Sequence, residues 1–248
     1  MASALSRVGV VPVRIGLAKL PKELEGYRIL QLSDVHVGPT IGRGFIEELV
    51  DTVNREKPDA VVITGDLVDG SVAQLGAFVE PLKNLRAKDG VFFVTGNHEY
   101  YSGVDEWIPF LRSLGIRVLR NERLTLRPDA GGGFDLAGVD DHSAGRFGNG
   151  HGTDFEKALG DRDPSRALVL LAHQPKSVLE AVKHGIDLQL SGHTHGGQIR
   201  VGGKAPIHHS RFGYERGWFT ENDCRLYVGR GVGVTVVPLR IDALPEVP

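Results

Sequence analysis

Residues 60–69 read AVVITGDLVD. Four consecutive apolar residues with no polar alternation fit a strand covered on both faces, the kind found in sheets flanked by helices. Gly65 then breaks the run, and Asp66 stands just past its carboxyl end, where ligands gather in open α/β sheets. The arrangement recurs along the chain. Ile29-Leu30-Gln31-Leu32 runs into Ser33-Asp34-Val35-His36, Val91-Phe92-Phe93-Val94 into Thr95-Gly96-Asn97-His98, and Leu168-Val169-Leu170-Leu171 into Ala172-His173-Gln174. A fifth apolar-rich stretch, 186–190, leads into Ser191-Gly192-His193-Thr194-His195.

Between the first three runs, Phe45, Ile46, Leu49, Val50 and Val53, then Leu75, Phe78, Val79, Leu82 and Leu85, recur at helical spacing. The first hundred residues therefore read βαβαβ. Segments 116–127, 134–139, 198–201 and 225–237 read as further strands separated by glycine-rich turns. The expectation is a layered sheet sandwich flanked by helices, one domain over 1–248 with a lead-in at 1–25.

Composition removes several classes of function. A net charge of -2 gives no electrostatic reason to expect nucleic acid as partner. A single cysteine, Cys224, excludes an intrachain disulfide framework and a cysteine-based zinc cluster. The opening MASALSRVGVVPVRIGLAKL is broken by Arg7, Pro12, Arg14 and Lys19, unlike a secretory signal. No stretch approaches the ~20 apolar residues of a membrane-spanning helix.

Alternate residues of an extended backbone project to one side, so His193 and His195 can converge on a metal, although Gly-His-Thr-His-Gly alone also reads as a solvated turn. The other strand ends argue for the metal. Asp34, His36, Asp66, Asn97, His173, His193 and His195 supply seven oxygen and nitrogen donors and no thiolate. That is more than one open site uses, and it suits two ions sharing a carboxylate, with Mn, Fe or Zn favoured by mixed imidazole and carboxylate ligation. Such a pair, roughly 3.5–4 Å apart, generates hydroxide at neutral pH and clamps the oxygens of an in-line displacement at phosphorus.

D-x-H at 34–36, G-D-x-x-D at 65–69, G-N-H-E at 96–99, the lone His173 and G-H-x-H at 192–195 together resemble the calcineurin-like metallophosphoesterase superfamily. The resemblance implies a four-layer αββα sandwich of two mixed sheets flanked by helices. By motif, Asp34, His36 and His195 would hold one metal, Asn97, His173 and His193 the other, and Asp66 would bridge them. His98 would face the phosphate and stabilise the transition state or protonate the leaving oxygen, while Asp69 would orient it. Glu99 is read as structural. The reaction implied is attack on phosphorus by a metal-bridging hydroxide.

GNHEYY at 96–101, AGVDD at 137–141, LLAHQP at 170–175 and SGHTHGGQI at 191–199 resemble the branch that holds small bacterial phosphodiesterases and transmembrane proteins with a metallophosphoesterase domain. The expected substrate is a small-molecule phosphate ester, a diester rather than a monoester. A lipid-linked nucleotide, cleaved at the pyrophosphate bond of UDP-2,3-diacylglucosamine, is the alternative. That reading wants an apolar groove from loops 141–152 and 203–218, with Phe147, Phe212, Tyr214 and Trp218, although ordinary packing is the default for such rings. Arg146, Lys204 and Arg211 are candidate phosphate contacts on the same loops.

A Ser/Thr phosphatase of the superfamily would carry Arg before Gly-Asn-His, where this chain has Thr95. A non-catalytic scaffold would have lost ligands, and here all seven and His98 remain. His142, His151, His184, His208 and His209 fit no motif and read as surface or loop residues; Gly229 to Gly233 read as a turn.

Overall fold

The computed structural model describes residues 8–200, 213–235 and 237–248. A short strand, β1 (Gly9–Val10), precedes a βαβαβ unit formed by β2 (Ile29–Leu32), α1 (Arg43–Arg55), β3 (Ala60–Ile63), α2 (Val72–Val79) and β4 (Val91–Phe93). Helices α3 (Asn97–Tyr101) and α4 (Val104–Ser113) follow, then β5 (Arg117–Val118), β6 (Glu122–Leu126) and β7 (Phe134–Gly138). The second half holds α5 (Phe155–Leu159), β8 (Leu168–Leu171), α6 (Val178–Ala181), β9 (Leu188–Ser191), β10 (Gly217–Glu221), β11 (Cys224–Val228) and β12 (Glu246–Val247).

Two main sheets result. One has the order β2-β3-β4-β5; the other runs β10-β11-β9-β8-β7-β6. Side-chain alternation assigns the layers. Val61, Ile63 and Phe93 face a core shared with Ile46, Leu49, Val50 and Val53 of α1 and Trp107 and Leu111 of α4. Their neighbours Ala60, Val62 and Phe92 face inward against Leu136, Val169, Leu171, Leu188 and Leu190 of the larger sheet. On the far side Leu168, Leu170, Leu226 and Val228 pack on Phe155, Leu159, Val178 and Ala181. The order is helix, sheet, sheet, helix.

The αββα sandwich agrees with the sequence, and four details differ. The smaller sheet is parallel throughout, so only the larger one is mixed, with antiparallel pairs at its edges, β6-β7 and β10-β11. Segment 116–127 is not one strand: β5 belongs to the smaller sheet and β6 to the larger, with the chain crossing between them at 119–121. Of the expected strand 198–201, the described residues 198–200 form a single bridge, Ile199 to Ile241. Strand β11 stops at Val228, and the hairpin that pairs it with β10 was not expected, because half-exposed Gly-Trp-Phe-Thr-Glu lacks an apolar run.

Part of the lead-in is built into the fold. Its β1 pairs in parallel with β12, and Val13, Ile15, Leu17 and Leu20 pack against the core between the sheets. Among the described residues no helix is long and apolar enough to cross a membrane.

Candidate metal centre

The loops after β2, β3, β4, β8 and β9 meet at one rim, locked by backbone hydrogen bonds. Asp34 N–H donates to Gly65 O, His36 N–H to Asp66 O, and Gly192 N–H to His173 O, at 3.0–3.1 Å. Asp34, His36, Asp66, His193 and His195 all have φ between 52° and 72°. The left-handed region costs an ordinary residue about 1–3 kcal/mol and is least hostile to Asp, Asn and His. The packed loops hold these five side chains in directions a strand cannot offer.

Two motif glycines exist because loops cross there. A Cβ on Gly96 would lie 2.2 Å from Asp66 Oδ1, and one on Gly192 would lie 1.9 Å from Ser33 Oγ and 2.2 Å from Asp34 Oδ2. Glu99 ties the same crossing together. Its carboxylate accepts from the backbone N–H of Asp66 at 3.0 Å, Leu67 at 2.7 Å and Gly96 at 2.6 Å. Burial and the neighbouring Asp66 push its pKa up to about 7, against those hydrogen bonds.

Asp34, His36 and His195 converge as one group of candidate ligand atoms, and Asp66, His173 and His193 as a second. In the first, His36 Nε2 lies 3.1 Å from His195 Nε2, which lies 3.5 Å from Asp34 Oδ1. In the second, His173 Nε2 lies 3.0 Å from Asp66 Oδ2 and 3.2 Å from His193 Nδ1. Asp66 Oδ2 is also 3.9 Å from His36 Nε2, so this carboxylate reaches both groups.

The donors fit two cations. His173 donates Nδ1–H to Thr64 O at 2.7 Å, and His36 donates Nδ1–H to Asp69 Oδ1 at 2.9 Å. That fixes the tautomers and leaves both Nε2 lone pairs facing inward, as metal-binding histidines require. Asn97 Oδ1, buried and without a hydrogen-bond partner, is an acceptor waiting for a positive charge.

His98 belongs to a third group of candidate ligand atoms, with His36 and Asp66. Its backbone N–H donates to Asp66 Oδ1 at 2.9 Å, and its Nδ1–H donates to Asp69 Oδ1 at 2.7 Å. The side chain keeps 29% of its surface open to solvent. Burial opposes protonation of this ring, but Asp69, Asp66 and Glu99 outweigh it and raise its pKa. Asp69, despite partial burial, is held down to about 2 by hydrogen bonds from His36 and His98.

The family model for calcineurin-like phosphoesterases matches residues 27–197, a span that contains every one of these side chains. The chain is a calcineurin-like phosphoesterase. It is 43% identical over 196 residues to a Danio rerio transmembrane protein with a metallophosphoesterase domain, covering 77% of this chain and 45% of that one. A Helicobacter pylori metallophosphoesterase is 38% identical over 245 residues, covering 98% of this chain and 63% of its own length. The phosphoesterase thus spans about half to two-thirds of these two curated relatives. In fold it is similar to a dimetal phosphatase from Danio rerio, with a TM-score of 0.53 at 13% identity over 83% of this chain and 88% of that one. Family and fold therefore agree: a calcineurin-like phosphoesterase domain with the αββα sandwich.

Other sequence expectations fall differently within the phosphoesterase. Phe147 reaches the rim, while Tyr214 packs on Phe219 and Trp218 on Tyr227 along the β10-β11 edge. Phe212, Lys204, Arg211, His208 and His209 lie outside the described residues. His142 is exposed as expected, and His184 stacks on Phe155. His151 is instead buried at its ring, between Arg120 at 2.9 Å and Asp105 at 3.3 Å. The turn at 229–233 does more than reverse the chain: Val232 N–H and Gly233 N–H donate to Ser33 O and Asp34 O, bracing the Asp34 loop.

The sequence reading also missed Thr64 and Arg240. Thr64 acts through a carbonyl, which any residue carries. Arg240 is buried behind the site, with Nη1 3.4 Å from His195 O and Nε donating to Gly233 O at 2.7 Å. No motif marks it.

Proposed function

We propose that this phosphoesterase is a single domain that hydrolyses small phosphodiesters at a two-metal centre. Asp34, His36 and His195 would hold one ion, Asn97, His173 and His193 the other, with Asp66 within reach of both groups. When bound, the ions act as Lewis acids and make water nucleophilic at neutral pH. Asp69 accepts the His98 Nδ1–H and so turns Nε2 toward the substrate; the imidazolium, favoured by the carboxylates around it, gives its Nε2 proton to the leaving oxygen and is left as the neutral Nδ1–H ring. The packed loops orient the donors before substrate arrives, so little reorganisation accompanies the reaction.

Thr95 carries the preference for diesters. It is fully buried, its hydroxyl accepting from Asp141 N–H at 3.2 Å and pairing with Tyr100 Oη at 3.1 Å. Ser/Thr phosphatases of the superfamily have an arginine there, a countercharge suited to a monoester dianion. A neutral, internally satisfied threonine offers none, which favours a diester monoanion.

The test is to strip the protein, reload it with Mn²⁺, count metals by mass spectrometry and assay bis-p-nitrophenyl phosphate beside p-nitrophenyl phosphate. Two metals per chain and diester turnover at least about tenfold above monoester turnover are expected, a difference of about 1.4 kcal/mol in barrier. Faster monoester cleavage would overturn the diester reading; metal-independent activity would overturn the whole centre.

A further inference from the structure

Helix α3 ends in two tyrosines with opposite fates. Tyr100 is buried, its ring centroid 5.4 Å from that of Phe147. Tyr101 is 65% exposed, with its ring edge-on to His98 at 5.5 Å and to Phe147 at 5.4 Å. Phe147 is itself 36% exposed. The open Tyr101 ring therefore stands beside the open imidazole, and the partly open Phe147 ring packs on both tyrosines. Neither Tyr101 nor Phe147 belongs to the hydrophobic cores.

The surroundings limit what can lie on them. From 145 to 150 the chain reads Gly-Arg-Phe-Gly-Asn-Gly, all exposed. Along this exposed segment Phe147 is the one apolar side chain, with glycines, Asn149 and Arg146 on either side of it in sequence. An acyl chain needs a continuous apolar groove to lose its water contact. A planar ring with a polar edge needs only a flat aromatic partner and polar neighbours, which is what the exposed Tyr101–Phe147 pair and its segment offer.

We infer that Tyr101 and Phe147 form a subsite for a planar aromatic group of the phosphate ester, held on the His98 side where the leaving group departs. The inference rests on the proposed phosphoesterase reaction and adds the chemistry of the group the site prefers.

Phosphonates, whose carbon–phosphorus bond is not hydrolysed, separate the ring from the reaction. Phenyl-, hexyl- and methylphosphonate are measured as competitive inhibitors of bis-p-nitrophenyl phosphate cleavage by the metal-loaded protein. Phenylphosphonate is expected to bind about 5- to 30-fold tighter than methylphosphonate, in the lower range for stacking on an aromatic side chain. It should also bind tighter than hexylphosphonate, although the two carry the same number of carbons. In Tyr101→Ala and Phe147→Ala the phenyl-to-methyl ratio should fall toward one, and Tyr101→Leu, apolar but not flat, should not restore it.

Tighter binding of the hexyl compound, or a phenyl preference that survives both alanine variants, would overturn the subsite while leaving ester hydrolysis intact. Absence of metal-dependent hydrolysis in the parent protein would instead overturn the reaction on which the inference rests.

Discussion

The loop after β2 and the start of α3 each offer a histidine to the same oxygen. His36 and His98 both donate Nδ1–H to Asp69 Oδ1, at 2.9 and 2.7 Å, with their rings nearly perpendicular and 4.6 Å apart. They share a tautomer and an anchor. What separates them is the far side of the ring: the His36 side chain is almost wholly buried with Nε2 facing His195, whereas that of His98 is partly open and has an exposed tyrosine against it. In the proposed mechanism, burial among lone pairs suits one imidazole to bind metal, and access to solvent suits the other to carry a proton.

The largest expected break in this pairing comes from removing each ring in turn. His36→Ala should lose bound metal and lower turnover by about 10³–10⁵, the worth of several kcal/mol of metal-ion catalysis. His98→Ala should keep two metals and lose about 10²–10⁴ in kcat. Metal counting beside kinetics checks both; equal metal loss in the two variants would erase the distinction.

Asp69→Asn attacks the shared anchor. An amide oxygen in the place of Oδ1 can still accept both N–H groups but no longer as a charged acceptor, so both metal affinity and kcat should fall by about 10–100-fold. A drop in kcat with metal affinity untouched would mean that the His98 contact alone matters.

Glu99→Gln sharpens the comparison from beneath. The carboxylate satisfies three backbone N–H groups of the loops carrying Asp66 and His98, and an amide would turn its own donors toward one of them. Thermal or denaturant unfolding should show a loss of about 1–3 kcal/mol, the cost of a buried donor left unpaired. Unchanged stability would show that the crossing is held without it.

The sequence made the first half legible because parallel strands buried on both faces leave unbroken apolar runs, and each run here ends in a motif. The same signal failed at β10, whose alternating exposure breaks the run, and at β1 and β12, which are two residues long. All seven donors, His98 and Asp69 could be named from residue type and order; the structure brings them together at one rim. Tyr101 escaped notice because nothing in Gly-Asn-His-Glu-Tyr-Tyr says which tyrosine is buried. Thr64 and Arg240 escaped because a carbonyl acceptor and a buried guanidinium are facts of packing.

The left-handed backbone at Asp34, His36, Asp66, His193 and His195 bears on any attempt to transplant this centre. Copying seven side chains onto another scaffold would reproduce the inventory and miss the aim, because ordinary strands and helices send a Cβ elsewhere. A graft would have to import the dihedral angles, and with them Gly96, Gly192 and the Glu99 clasp that make those angles affordable. In this molecule the portable unit is the crossing of loops, and the ligands are its visible part.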